Sequence, residues 1–158
     1  MIIHTSEIGI IEFKKVNNGF VNNSDFVFFK IKNLYSNNLS DELIEKLFDD
    51  LKTFFDNSKK NKIIFTQIYD LTDVSVTNIQ NELIFVKKYA DFLKKFDDVF
   101  RECNTGTSIV INSFIVKQII NTMLCVYESI TPTHISTSYG ESFEWLEKLI
   151  NKNLKVKI

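Results

Sequence analysis

The sequence predicts an α/β domain: a mixed, mostly parallel sheet of four to five strands, opened by an N-terminal antiparallel hairpin and accompanied by about four helices. Three observations carry this. Two β-rich runs near the start, residues 8–15 and 26–32, are separated by an Asn-rich turn too short for a crossover helix. From residue 40 onward, stretches with apolar residues three and four apart alternate with short runs rich in Ile, Val and Phe. Strands separated by helices pair in parallel through right-handed crossovers, and a leading hairpin adds an antiparallel margin.

Residues 8–15 (IGIIEFKK) and 26–32 (FVFFKIK) form the hairpin, with VNNGFVNNSD as its turn. Ser40 is a good N-cap, and Asp41 and Glu42 suit the positive end of a helix dipole. Leu43, Ile44, Leu47, Phe48, Leu51, Phe54 and Phe55 then make one apolar stripe. Residues 62–69 (KIIFTQIY) predict a strand whose apolar start, Ile63-Ile64-Phe65, suits burial on both faces. Thr77 stands three residues before Gln80, a capping-box spacing, and opens a long helix to about Arg101. Residues 105–112 (TGTSIVIN) predict a central strand. Ser113 caps a helix to about Glu128 that is apolar over most of its circumference and therefore expected to be well buried. Residues 133–137 (THIST) are a last strand. Ser138 and Glu141 repeat the capping-box spacing at the start of a final amphipathic helix.

A chain of 158 residues with 44% hydrophobic residues fits one domain, 1–158, with its core over about 8–150. Fifteen Phe predict a core that is largely aromatic. Nineteen basic against 20 acidic residues give a net charge of −1, which does not support a nucleic-acid surface. No apolar run reaches the roughly 20 residues of a membrane span, and the start, Met1-Ile2-Ile3-His4-Thr5, is not a secretory signal. Two cysteines without a signal suit a reducing compartment, so a cytoplasmic protein is expected.

The chemistry-bearing residues are few. Asp70 and Asp73 form an acidic pair at a strand's C-terminal end, the edge where open α/β sheets bind ligands. Turn formation explains such a pair equally well. Thr77 with Gln80 reads first as a helix cap. His4, in a terminus expected to fray, and His134, expected to be partly buried, have no metal-ligand spacing, so no metal site follows. Cys125 is expected in the core and Cys103 nearer the surface. No nucleophile elbow, phosphate loop or dinucleotide fingerprint is present, and four glycines leave the backbone little means to approach a phosphate. The expectation is a protein that is not an enzyme and carries no cofactor.

The order of elements resembles the STAS domain, the fold of anti-sigma-factor antagonists and SpoIIAA-like proteins, over about residues 8–150. Three stretches carry the resemblance: residues 64–74 (IFTQIYDLTDV), similar to the family's third strand with its Asp-Leu-Ser/Thr ending; residues 107–112 (TSIVIN), similar to its next core strand; and residues 132–146 (PTHISTSYGESFEWL), similar to its last strand and helix. The resemblance implies a regulatory module that binds a protein partner through the edge around Asp70, Asp73, Ser75, Thr77 and Gln80. In the family a Ser or Thr at the start of the following helix is phosphorylated, within Asp-Ser-Ser-Gly. Here the stretch reads Ser75-Val76-Thr77-Asn78-Ile79-Gln80-Asn81, a degenerate form in which Ser75 and Thr77 are the nearby hydroxyls. The alternative the resemblance implies is binding of a lipid or other small apolar ligand, as in SpoIIAA-like or CRAL-TRIO-like proteins. A homodimer could form by edge pairing of the hairpin, residues 8–32.

Overall fold

The computed structural model describes residues 1–33, 40–76 and 79–157. Six strands lie in one sheet in sequence order: β1 (Ile2–Thr5), β2 (Gly9–Val16), β3 (Ser24–Ile31), β4 (Phe65–Asp70), β5 (Asn104–Val110) and β6 (Thr133–Ser136). The first three pair antiparallel, and β3 to β6 pair parallel. The helices are α1 (Asp41–Asn61), α2 (Ile79–Leu93), α3 (Asp97–Cys103), α4 (Phe114–Val126) and α5 (Tyr139–Lys157). A strand order that never reverses, joined by crossovers of one hand, keeps α1 to α4 on one face of the sheet. α5 follows the last strand and covers the other face, against β5 and β6.

The mixed α/β fold and the hairpin are as the sequence predicts, with differences that have physical causes. The strand count is six because residues 2–5 do not fray. His4 alternates inward, is buried, and bonds Asp50 of α1 through Nδ1 at 2.7 Å, while Nε2 meets Ser6 Oγ at 2.7 Å. The Met1 ammonium adds a bond to Phe13 O at 2.8 Å. β1 thus covers β2, and the outer strand on this side is β1 rather than the hairpin. The expected strand start at Ile63-Ile64 is also wrong. α1 closes with Lys62 in the left-handed region (φ 54°), and its N–H bonds Lys59 O. Ile63 and Ile64 are spent leaving that cap, so Ile64 is exposed and the strand begins at Phe65. The long helix expected over 77–101 is divided after Leu93 by a 3-10 turn, Lys94–Phe96.

Alternation along the strands separates two cores. Val27, Phe29, Phe65 and Ile109 face α1 to α4, where Phe55 packs against Phe65, Phe96 and Phe100. This is the aromatic core the composition predicts, and full burial of one such ring contributes about 1.5–3 kcal/mol. Phe26, Ile68 and Val110 face α5 and pack with Leu146. α5 lies close because Gly106 has no side chain, so Leu149 Cδ2 occupies the place of its Cβ. Three buried hydroxyls satisfy one another under α5, with Ser142 Oγ 2.7 Å from Ser108 Oγ and 2.5 Å from Ser136 Oγ.

Two burial expectations fail. α4 is not well buried: Val116, Ile119 and Ile120 face inward, but Phe114 is 73% exposed and Ile115 41%. An outer-layer helix touches the domain on one side only, so a sequence apolar all round leaves part of itself outside. The cysteines are the reverse of what the sequence suggests. Cys125 is on the outer side of α4, whereas Cys103 is buried against Ser58 O of α1 at 3.6 Å. Burial pushes the Cys103 thiol up, away from reactivity. No helix among the described residues is long and apolar enough to cross a membrane.

Candidate functional site

The C-terminal ends of β4, β5 and β6 form one edge, stitched by Leu71 N to Val110 O (2.9 Å) and Ile111 N to Ser136 O (3.0 Å). Asp70 ends β4 with its side chain toward α5. Its Oδ1 accepts from Thr72 Oγ1 (2.6 Å) and Thr72 N (3.0 Å), an Asx turn, and its Oδ2 accepts from Tyr139 Oη (2.8 Å). Burial alone would raise this carboxyl. The Thr72 and Tyr139 hydrogen bonds outweigh burial and hold it below the usual carboxylate range. Burial, then the bond to Asp70, pushes the Tyr139 hydroxyl up.

The predicted pair is therefore split. Asp70 is a buried structural acceptor, while Asp73 is exposed, with Lys30 Nζ 4.0 Å away. Ser75 is exposed on the turn. Thr77 lies outside the described residues, so its capping box cannot be placed. Gln80 belongs to the first turn of α2, and its side chain is likewise outside the description. Of the second capping box only the Ser138 half is formed, since Glu141 reaches one residue beyond the cap. Ser138 Oγ accepts from Glu141 N (3.2 Å), and Glu141 reaches back to Thr137 N (3.1 Å). His134 is half-buried, as expected, and stacks on Trp145.

Sequence reasoning missed two features of this edge. Phe114 and Ile115 are exposed at the start of α4, immediately after Ser113 caps it through Val116 N. They follow the C-terminal end of β5, the strand that pairs with β4, so they lie on the sheet edge from which the 71–76 turn also leaves. Tyr139 was also passed over, although its place at the start of α5 aims it at the end of β4.

A second feature is interior. A cavity of about 90 Å³ runs between the sheet and the helices. Phe29, Tyr69, Tyr89, Leu93, Ile109 and Met123 are among its apolar and aromatic lining, and Gln67 and Asn104 are polar members. Tyr69 Oη and Tyr89 Oη lie 2.6 Å apart, and burial raises both phenols. Asn104 Nδ2 donates to Thr131 Oγ1 (2.9 Å) and Thr107 Oγ1 (3.2 Å), while its Oδ1 has no partner among the described residues. The signal for Gln67 was present: it shares the inward side of β4 with Phe65 and Tyr69, a polar residue on a buried face.

Ser6, His4 and Asp50 have the connectivity of a nucleophile, a base and an orienting acid. Ser6 Oγ, however, also accepts the Ile8 N–H at 3.1 Å within the β1–β2 turn, and the His4 ring is enclosed. The set is a structural tie between β1 and α1. Among the described residues no group of acids, His and Cys could hold a metal ion. Comparison with protein-family models, with curated proteins and with solved structures gives no match.

Proposed function

We propose that the chain is a non-catalytic regulatory module that binds a protein partner at the C-terminal edge of its parallel strands, in the manner the STAS resemblance implies. One observation carries the reading: Phe114 and Ile115 are exposed together at the head of α4, which follows β5 at the same sheet edge as the turn that presents Asp73 and Ser75. Aromatic anchors ringed by polar residues are the usual centre of a protein interface. The state of Asp70 supports a non-catalytic reading. Both its oxygens are committed, and a carboxyl held below its ordinary range is a poor proton donor near neutral pH. Ser75 is the described hydroxyl open to phosphorylation, and a phosphate there would add roughly −1.5 to −2 charges beside Asp73 and repel an acidic partner surface. The partner reading sits in the cytoplasm, where the exposed Cys125 stays reduced.

Pull-down from the source cell, followed by light scattering of the captured complex, tests this. The expected result is a single stoichiometric partner that the Phe114→Ser/Ile115→Ser variant loses. A second copy of the chain would appear as a homodimer. Undiminished capture by the folded double variant would remove this edge from the interface.

A further inference from the structure

The interior cavity carries an inference of its own. Its wall is almost wholly apolar, and among the described residues no charged side chain contributes to it. A purely apolar space of this kind stays dry, whereas polar groups on its wall call for a hydrogen-bonding occupant, water or ligand. Here two amides face it without full satisfaction. Gln67 is 3% exposed, and its side chain has no hydrogen bond among the described residues. Asn104 is 8% exposed with an orphaned Oδ1. The tyrosine pair adds a third group by proton counting. One hydroxyl donates to the other, so the accepting hydroxyl keeps a proton with no acceptor. Buried polar groups left unpaired are costly, so a cavity that concentrates them is arranged for a guest that pairs them.

We propose that this cavity binds a small, uncharged, mostly apolar molecule with one hydrogen-bonding group, of the phenol or short branched alcohol kind. A hydroxyl is the matching group because it both donates and accepts. It can give its proton to Gln67 Oε1 and accept from Gln67 Nε2 or the free tyrosine proton. Charge is excluded because the wall holds nothing to neutralise it, and an unpaired ion in such a site is very unfavourable. Size excludes a lipid. The volume is about 90 Å³, below the roughly 150 Å³ that accommodates benzene and far below the roughly 300 Å³ where ordinary ligand pockets begin. A guest of about four to five non-hydrogen atoms, such as isobutanol, fits the cavity as it stands, and phenol enters only as Met123 moves its flexible side chain aside. The sequence-based alternative of a lipid is thereby narrowed to a compact polar-tipped molecule. Ligands of this size bind in the micromolar to millimolar range.

The experiment is a methyl-resolved NMR titration of the full chain with phenol, isobutanol, benzene and decanoate. Phenol and isobutanol are expected to give saturable shifts confined to the methyls of Ile109, Ile120, Met123 and Leu124, with a rise in Tm. Decanoate is expected to give none. Gln67→Leu supplies a second readout. It raises the Tm of the ligand-free protein, because an unpaired amide is removed, and weakens phenol roughly three- to tenfold while leaving benzene unchanged. Three results overturn the proposal: no saturable shift of these methyls with any small probe up to tens of millimolar; decanoate occupying the cavity in preference; or Gln67→Leu leaving the phenol-to-benzene preference untouched. The wild-type titration needs no variant, so a misfolded Gln67→Leu protein does not shield the idea.

Discussion

Tyr139 Oη donates a 2.8 Å hydrogen bond to Asp70 Oδ2, tying the first residue of α5 to the last residue of β4 across 69 positions of sequence. The bond closes the sheet edge from the α5 side, and with the Thr72 bonds it gives the buried carboxylate three donors. A hydrogen bond to a charged group contributes about 1.5–3 kcal/mol. Tyr139→Phe is expected to lower the unfolding free energy by about that amount in urea titrations at pH 7. A loss under 0.5 kcal/mol would show that Thr72 alone satisfies Asp70.

The same carboxyl sets an acid limit. Its folded pKa lies below the unfolded value, so the stability it contributes is fully present above the unfolded pKa of about 3.9 and disappears as pH falls through the folded value. Asp50 behaves alike. Burial opposes ionisation, but the His4 and Lys46 hydrogen bonds win and depress it. Asp70→Asn and Asp50→Asn are each expected to flatten the decline of Tm below pH 4 relative to wild type. An unchanged acid limb in both would remove these groups from the balance.

The three described glycines outside α5 rank by what a methyl group would meet. At Gly9 (φ +156°) a Cβ collides with the Lys30 carbonyl oxygen across the β2–β3 pair, and backbone cannot step aside. At Gly106 it collides with Leu149 Cδ2, the far end of a flexible side chain. At Gly19 it meets nothing within 4 Å. Ala substitutions should therefore destabilise by more than about 3 kcal/mol at Gly9, about 1–2 at Gly106 and less than 0.5 at Gly19. Any other rank order by chemical denaturation contradicts the packing described.

These cases show what was legible in advance. Strand and helix order could be read because period and capping are local: Ser40, Ser113 and Ser138 each cap the helix they were expected to cap. The ends of elements were less legible, since the left-handed cap at Lys62 is set by where the chain must turn from α1 back to the sheet. Outer and inner faces of α4 could not be separated, because Phe114 and Val116 are equally apolar and only the neighbours decide which is covered. Asp70 and Asp73 looked like a pair, yet one turn of chain sends the first inward to Tyr139 and the second to solvent. Cavities are a property of packing across many elements and leave only an indirect trace, here Gln67 on a buried face.

Glu82 gives the prediction of opposite sign. It lies in the first turn of α2 at 0% exposure, and among the described residues neither carboxylate oxygen has a partner. Burial raises its pKa above the ordinary value of 4.5. For a raised acid the folded state binds the proton more tightly than the unfolded chain. Its destabilising effect is thus absent below the unfolded pKa and grows as pH rises toward and through the folded one. Glu82→Gln keeps the shape and removes the charge, so it should raise Tm at pH 7 and leave Tm at pH 4 nearly unchanged. Glu82→Leu should do the same, and more strongly, because it also removes the unpaired polar atoms. Thermal unfolding at the two pH values decides it: a lower Tm at pH 7 in both variants would mean that the carboxylate has a partner this arrangement of α2 does not provide.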